Sequence, residues 1–306
     1  MERRAAETLC CASCGIAEVD DIKLTTCDAN CKLVRYCSDK CQWDHLPFHA
    51  AVCKNRVAEL RDELLFAQPE SAHFGDCPIC FLPLAIDGSK RVVMSCCSKV
   101  ICDGCSYANM MRELSEPLRG LNTSPKCTCP FCRHSVSVPA TQADIDENMM
   151  KRVEVNDPVA TRFVGIRRYD EGDYGSAFEY LTKAAGLGDV VAHYQLALMY
   201  WEGTGVEKDE KKEIYHLEEA AIGGHPLARY NLGAFEWNNG SKERALKHYI
   251  IAANQGDDKS VGKLKQGYEK GLVSKADFAA ALRAHQAAVD AMKSPQREAA
   301  AELAKL

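Results

Sequence analysis

Seventeen cysteines crowd into positions 10–132 of this 306-residue chain, and the last 174 residues hold none. Thiols at that density either pair as disulfides or bind metal. An odd count suits complete pairing poorly. The opening stretch MERRAAETLCCASCG has charge but no apolar core, which predicts no signal peptide and hence a reducing compartment. The cysteine-rich half therefore reads as a set of zinc sites. Composition is that of a soluble globular protein, 46% hydrophobic and 26% charged. No apolar run approaches the ~20 residues that span a bilayer. The net charge of −5, without a basic run, argues against nucleic acid as a principal partner. The expectation is two or three domains in the cytoplasm or nucleus, with no membrane and no nucleic-acid partner.

The first cysteine block offers four ligand pairs: Cys11/Cys14, Cys27/Cys31, Cys37/Cys41 and His49/Cys53. Two or three residues separate the members of each pair, so one tight turn or helical turn can aim both at one metal. Eight ligands make two closed tetrahedral sites, which are structural because no coordination position is left for a reacting water. His45 competes with His49, but only His49 has the three-residue spacing to Cys53. Cys10 is left outside the ligand set.

The stretches YCSDKCQ and PFHAAVC make this block resemble a MYND-type zinc finger over about 45 residues. The resemblance implies interleaved sites, one on Cys11, Cys14, Cys37 and Cys41 and the other on Cys27, Cys31, His49 and Cys53. Two departures stand out: the Cys27–Cys31 gap is three residues rather than the usual two, and Leu46 replaces the tryptophan expected before PxH. In NRVAELRDELLF, Val57, Leu60, Leu64 and Leu65 share one helical face, which predicts a helix after the finger that Pro69 ends.

A second block, residues 77–133, carries three CxxC knuckles, Cys77/Cys80, Cys102/Cys105 and Cys129/Cys132. Both outer knuckles have proline directly after the first cysteine. This spacing resembles a RING domain. The resemblance implies a zinc on Cys77, Cys80, Cys102 and Cys105, and a second on Cys97, Cys129, Cys132 and one further ligand. Lys99 occupies the position where a RING carries histidine, and a protonated amine makes a poor ligand. Cys96 is the nearest thiol. Sulfurs of a tetrahedral zinc site sit ~3.8 Å apart, about the spacing of adjacent alpha carbons, so a bent Cys-Cys dipeptide reaches one metal. Cys127 is the rival, and an incomplete site with a buried Cys96 is the remaining alternative. RING ligases supply no nucleophile and act by positioning a ubiquitin-conjugating enzyme. The family's contact residues correspond here to Ile79, Pro130 and Arg133. The segment from Tyr107 to Lys126 lacks the tryptophan that many active RINGs carry.

From residue 157 the chain repeats itself. DPVA, DVVA, HPLA and DDKS end at Ala160, Ala192, Ala228 and Ser260, and KAAGLG, EAAIGG and IAANQG close at Gly188, Gly224 and Gly256. Periods of 32 to 36 residues with small residues at fixed offsets predict helix–turn–helix solenoid repeats. The second unit carries four extra residues, which belong in the turn between its two helices. LALMYWEGTGVEKDEKK followed by EEAAIGG resembles a Sel-like repeat, a relative of the tetratricopeptide repeat. Gly165, Ala197 and Gly233, five residues after each anchor, predict close helix approaches. Tyr194, Tyr200, Trp201, Tyr230 and Trp237 are either groove residues or core. Ser294-Pro295 reads as a helix start, and the alanine-rich segment after it is expected to close the stack.

The expected organisation is multidomain, with two small zinc-stabilised cross-brace modules followed by an all-α helical-repeat solenoid. Its parts are a MYND-type finger at 9–54, a helical spacer at 55–75 and a RING-type finger at 76–134. A linker at 135–156 leads to repeats at 157–272 and capping helices at 273–306. Four Zn²⁺ are expected, two in each module. The functional expectation is a ubiquitin ligase whose repeats, with the finger, recruit protein or peptide ligands. The alternative is a non-catalytic scaffold. A zinc hydrolase is disfavoured because every site is closed.

Overall fold

The computed structural model describes residues 9–18, 21–69, 74–115, 126–137 and 141–305; side chains at 114–115, 126–127 and 136–137 lie outside that description. The chain falls into two compact units, parted between Ala67 and Gln68.

In the first unit, strands β1 (Thr25–Thr26) and β2 (Arg35–Tyr36) pair antiparallel, and helix α1 (Asp39–Leu65) follows. The predicted helix after the finger is thus only the second half of a 27-residue helix that begins inside it. Ser38 caps α1 by accepting the Cys41 amide, and Phe66 ends it before Pro69 is reached. Pro47 sits within α1, and its missing N–H removes one rung of the helix. The core of this unit is built largely from ligands: Cys11, Cys27, Cys31 and Cys53 are buried with Leu24 and Tyr36.

The second unit opens with an antiparallel pair, β3 (Arg91–Val93) and β4 (Val100–Cys102), which leads into α2 (Asp103–Ser115). Strands β5 (Lys126–Thr128) and β6 (Ser135–Ser137) form another pair. Leu84 and Ile101 are buried with Cys77, Cys102 and Cys105.

Helix α3 (Gln142–Glu154), started by a Thr141/Asp144 capping box, runs straight into the repeats. These are α4 (Pro158–Asp170) with α5 (Tyr174–Gly186), α6 (Val190–Glu202) with α7 (Glu210–Ile222), and α8 (Pro226–Asn238) with α9 (Lys242–Asn254). Then come α10 (Asp258–Glu269), α11 (Lys275–Ala291) and α12 (Pro295–Leu303). Each repeat motif is a helix start. Asp157, Asp189, His225 and Asp257 are the N-caps, and each side chain accepts the amide of the anchor three residues on. The anchors Ala160, Ala192, Ala228 and Ser260 are all 0% exposed. Gly188, Gly224 and Gly256 turn the chain between repeats with φ of 88°, 87° and 95°, a region closed to most side chains. The four-residue surplus of the second repeat lies between α6 and α7, as its offset requires.

Small residues set the helix spacing. A Cβ on Gly233 would stand 2.6 Å from Cε1 of Tyr249, and one on Gly165 would stand 3.0 Å from Cγ of Leu181. The aromatic candidates divide. Tyr200 is buried, Tyr230 and Trp237 pack on the core with Tyr249, and Tyr194 stacks on His225 at 4.3 Å. Trp201 is 60% exposed.

The last helix departs from expectation. Helix α11 packs on α9 and α10, whereas α12 packs on α2 of the second cysteine block rather than on the repeats. No helix among the described residues is long and apolar enough to cross a membrane.

Candidate metal centres

Three of the CxxC segments share one backbone. In CASCG, CPICF and CPFCR, the residue after the second cysteine donates its amide to the first cysteine's carbonyl. The bonds are Gly15 to Cys11 (2.9 Å), Phe81 to Cys77 (2.8 Å) and Arg133 to Cys129 (3.0 Å). The first cysteine's amide in turn reaches the carbonyl of Ile16, Leu82 or His134. The turning residue is left-handed each time, with φ of 74°, 57° and 59°. Each knuckle is thereby the tip of a tiny hairpin with both sulfurs on one side.

Among the described residues the folded chain gathers four sets of four ligand atoms, each set lying within 4.8 Å. The first is Cys11, Cys14, Cys37 and Cys41, with Sγ separations of 3.6 Å for both Cys14–Cys37 and Cys37–Cys41. The second is Cys27, Cys31, His49 and Cys53, fully buried; Sγ of Cys31 lies 3.3 Å from Nε2 of His49. Helix α1 supplies His49 and Cys53 one turn apart. His45 is turned to another task, its Nδ1 lying 3.0 Å from the Tyr36 hydroxyl and its ring stacked on His49 at 5.7 Å.

The third set is Cys77, Cys80, Cys102 and Cys105, in which Cys80 and Cys102 are 3.8 Å apart. A knuckle supplies the first two; the end of β4 and the first turn of α2 supply the others. The fourth set is Cys96, Cys97, Cys129 and Cys132, with Cys97–Cys129 at 3.7 Å and Cys96–Cys132 at 3.3 Å. Adjacent thiols converge because the chain bends sharply there. The Met94 carbonyl accepts from the Cys97 and Ser98 amides, and Ser98 is left-handed at φ 57°. Cys127 pairs with Val136 in the β5–β6 ladder, and its side chain lies outside the described residues.

These arrangements suit zinc chemically. Tetrahedral thiolate sites need sulfur separations of ~3.8 Å and N–H donors aimed at sulfur, because the ligand is the thiolate. Both are present. Burial raises the Cys77 thiol, but amides of Cys102, Cys80 and Ile79 outweigh it and bring it down to about 7. At Cys11, burial is likewise overcome by the amides of Cys14, Cys37 and Ser13, which bring it down to about 6. Set partners go the other way: hydrogen bonds with Cys14 and Cys41 push Cys37 up to about 12, and burial raises Cys102 and Cys105. A zinc ion in such a closed set cross-links the chain and offers no open position for chemistry.

Ile79 and Pro130 are exposed and line one groove of about 400 Å³ with Ala108, Asn109, Arg112 and Gln296. Arg133 is exposed and is not among its lining residues. On α1, Trp43 and Phe48 are 74% and 80% exposed, and Trp43, Leu46, Gln42 and Asp28 edge a cleft beside His49 and Cys53.

One participant gave no sequence signal. Arg297, 217 positions after Cys80, reaches its sulfur from α12. No spacing rule links residues so far apart.

The comparisons with known proteins agree with part of this picture. Residues 11–53 match the MYND finger model, and residues 160–189, 190–225 and 226–257 match the Sel1 repeat model. DAP3-binding cell death enhancer 1 of Mus musculus is 28% identical over 180 residues, 46% of this chain and 35% of that protein. The Rattus norvegicus protein of the same name is 27% identical over the same shares. The chain thus spans about a third of the length of the curated relatives it matches. A Sel1 repeat protein from Oxalobacter formigenes aligns with TM-score 0.36 and 31% identity, over 39% of this chain and 96% of that one. The Escherichia coli antigen c5321, with an SLR fold, aligns with TM-score 0.38 and 21% identity, over 54% of this chain and 36% of that one. By the two family matches, a zinc-binding MYND finger at the N-terminal end is followed by a helical Sel1 repeat array.

Proposed function

We propose that this chain is a zinc-stabilised protein-interaction scaffold in which four Zn²⁺, two in each cysteine-rich module, hold the binding surfaces in shape. The carrying observation is the contrast on the finger. Its ligand sets are closed, while Trp43 and Phe48, large apolar groups that folding ordinarily buries, stand exposed on α1. Trp43 and the exposed Leu46 together edge the cleft, and a rigid apolar edge of this kind binds partners and performs no bond chemistry. The repeats supply a second surface of the kind solenoids use for proteins, with Trp201 exposed on it.

The relatives' name says that they bind DAP3, so DAP3 is the first partner to try. Purified DAP3 would be titrated against the full chain and against Trp43→Ala and Trp201→Ala variants by biolayer interferometry. Micromolar or tighter binding, weakened tenfold or more by one of the variants, supports the reading. No association with either surface intact removes DAP3 as the partner.

A second reading rests on Ile79 and Pro130 sharing one groove. In it, residues 76–134 form a RING-type module, completed by Cys96, that positions a ubiquitin-conjugating enzyme. The chain with activating enzyme, a panel of conjugating enzymes, ubiquitin and ATP would then build ubiquitin chains, and Ile79→Ala and Arg133→Ala would suppress them. Silence across the panel eliminates that activity.

A further inference from the structure

Helix α12 is held to the second cysteine block by one guanidinium. Nη1 of Arg297 donates to the carbonyl of Pro83 at 2.7 Å and to that of Met292 at 2.8 Å. Nη2 donates to the Leu82 carbonyl at 3.2 Å and to Sγ of Cys80 at 3.5 Å. Leu82 and Pro83 are the residues that close the Cys77–Cys80 knuckle. Arg297 therefore grips both the knuckle's backbone and one of its sulfurs. It also lies against Cys102, the sulfur 3.8 Å from Cys80.

The backbone fit is as close as the side-chain fit. A Cβ on Gly104, which lies between Cys102 and Cys105, would fall 2.6 Å from the Arg297 amide nitrogen and 2.8 Å from its Cα. Only glycine lets the first turns of α2 and α12 meet there. Ser294 caps α12 by accepting the Arg297 amide, which sets the helix start at the point of contact.

The charge balance explains why an arginine stands here. A zinc ion with four thiolates carries two uncompensated negative charges, and burying them is costly unless donors surround the sulfurs. An N–H from a guanidinium to a thiolate is charge-assisted and stronger than a neutral amide bond. Partners of this kind around metal ligands are worth about ten- to a hundredfold in metal affinity.

From this geometry we infer that zinc binding at Cys77, Cys80, Cys102 and Cys105 and the docking of α12 are one coupled event, with Arg297 as the positioning residue between them. The inference rests on the reading of that ligand set as a zinc site. Metal in the site completes the charge pair that holds α12. The docked helix in turn fixes the knuckle and withdraws charge from its sulfur. Gln296 lines the groove of Ile79 and Pro130, so the docked helix forms part of that groove's wall.

The test uses the full chain in four forms: wild type, Arg297→Gln, Gly104→Ala and Cys77→Ser. Native mass spectrometry counts zinc, a chromogenic chelator times its release, and hydrogen exchange follows residues 295–303. The expected result is that one zinc leaves tenfold or more faster in Arg297→Gln and in Gly104→Ala, the latter changing no ligand or donor. Cys77→Ser should lose one zinc and lose amide protection across 295–303, while 158–269 stay protected. Release at the wild-type rate from both Arg297→Gln and Gly104→Ala overturns the coupling while leaving the zinc site standing. Retained protection of 295–303 in a Cys77→Ser chain that has lost its zinc does the same. An unchanged zinc count in Cys77→Ser overturns the metal reading and the coupling with it.

Discussion

The finger and the repeat array solve the same problem with different material. Of the six described residues in the finger's buried apolar cluster, four are cysteines, beside Leu24 and Tyr36. The buried cluster at the first repeat junction holds Ala177, Ala184, Ala185, Ala192, Leu181, Leu196 and Met199. One core is a ligand cage with little apolar surface to bury; the other is a close-packed seam of small and branched side chains. A domain of about 45 residues rarely supplies enough hydrophobic burial to fold alone, so the metal carries it. The array gains by stacking, each repeat covering its neighbour.

The widest test of that contrast is chelation. Structural zinc contributes about 10–16 kcal/mol to such sites, so a strong chelator should abolish amide protection in residues 11–53 and leave 158–269 protected. Loss of protection in both would break the comparison. The next test reverses the target. Gly233→Ala places a methyl group against Tyr249 and should cost about 1–3 kcal/mol in the melting of the array, with no change in zinc count. Gly165→Ala, with a looser contact, should cost less.

Acid should act on the array through its partly and fully buried imidazoles, among them His193, which burial also holds below the ordinary value. Burial, with help from neighbouring His193, holds His216 down at about 4; burial, with Arg91 and Arg162 nearby, holds His225 down at about 3. The unfolded chain takes up these protons near pH 6.5 while the folded chain resists. Stability is therefore full above about pH 6.5 and falls as pH drops towards 4. For partly buried His216 the loss is on the order of 2 kcal/mol after allowing for solvent screening. His216→Gln should flatten that slope in urea melts followed by exchange in 190–222. His225 adds a structural reason, because its Nδ1 accepts the Ala228 amide and can do so only while unprotonated. The smallest expected effect is Asp209→Ala, which deletes the cap accepting from the Lys211 and Lys212 amides and should cost about 1 kcal/mol.

The repeat architecture was readable because its signals are local. A cap, an anchor three residues on and a turning glycine recur at countable offsets, and the inserted residues fell between α6 and α7 as counting required. Cysteine spacing likewise marked the ligand pairs, while their grouping rested on the two resemblances and left Cys96 and Cys127 open; among the described residues four sets of thiols and imidazole come together. Counting was least able to find what depends on distant partners. Helix α1 starts at Asp39 because ligands within the finger hold its first half, a context the period of Val57, Leu60, Leu64 and Leu65 does not contain. The seat of α12 depends on carbonyls at Leu82 and Pro83, more than two hundred positions away.

The three knuckles carry one last consequence. Gly15 adopts its left-handed turn freely, whereas Phe81 and Arg133 hold the same turn against the preference of any residue with a Cβ, at about 1 kcal/mol each. In a metal-free chain only the hairpin hydrogen bonds offset that cost. The backbone cost of winding a knuckle around an ion is thus smaller for the finger's first knuckle than for the other two. Metal capture should therefore be ordered in time, with the glycine knuckle leading.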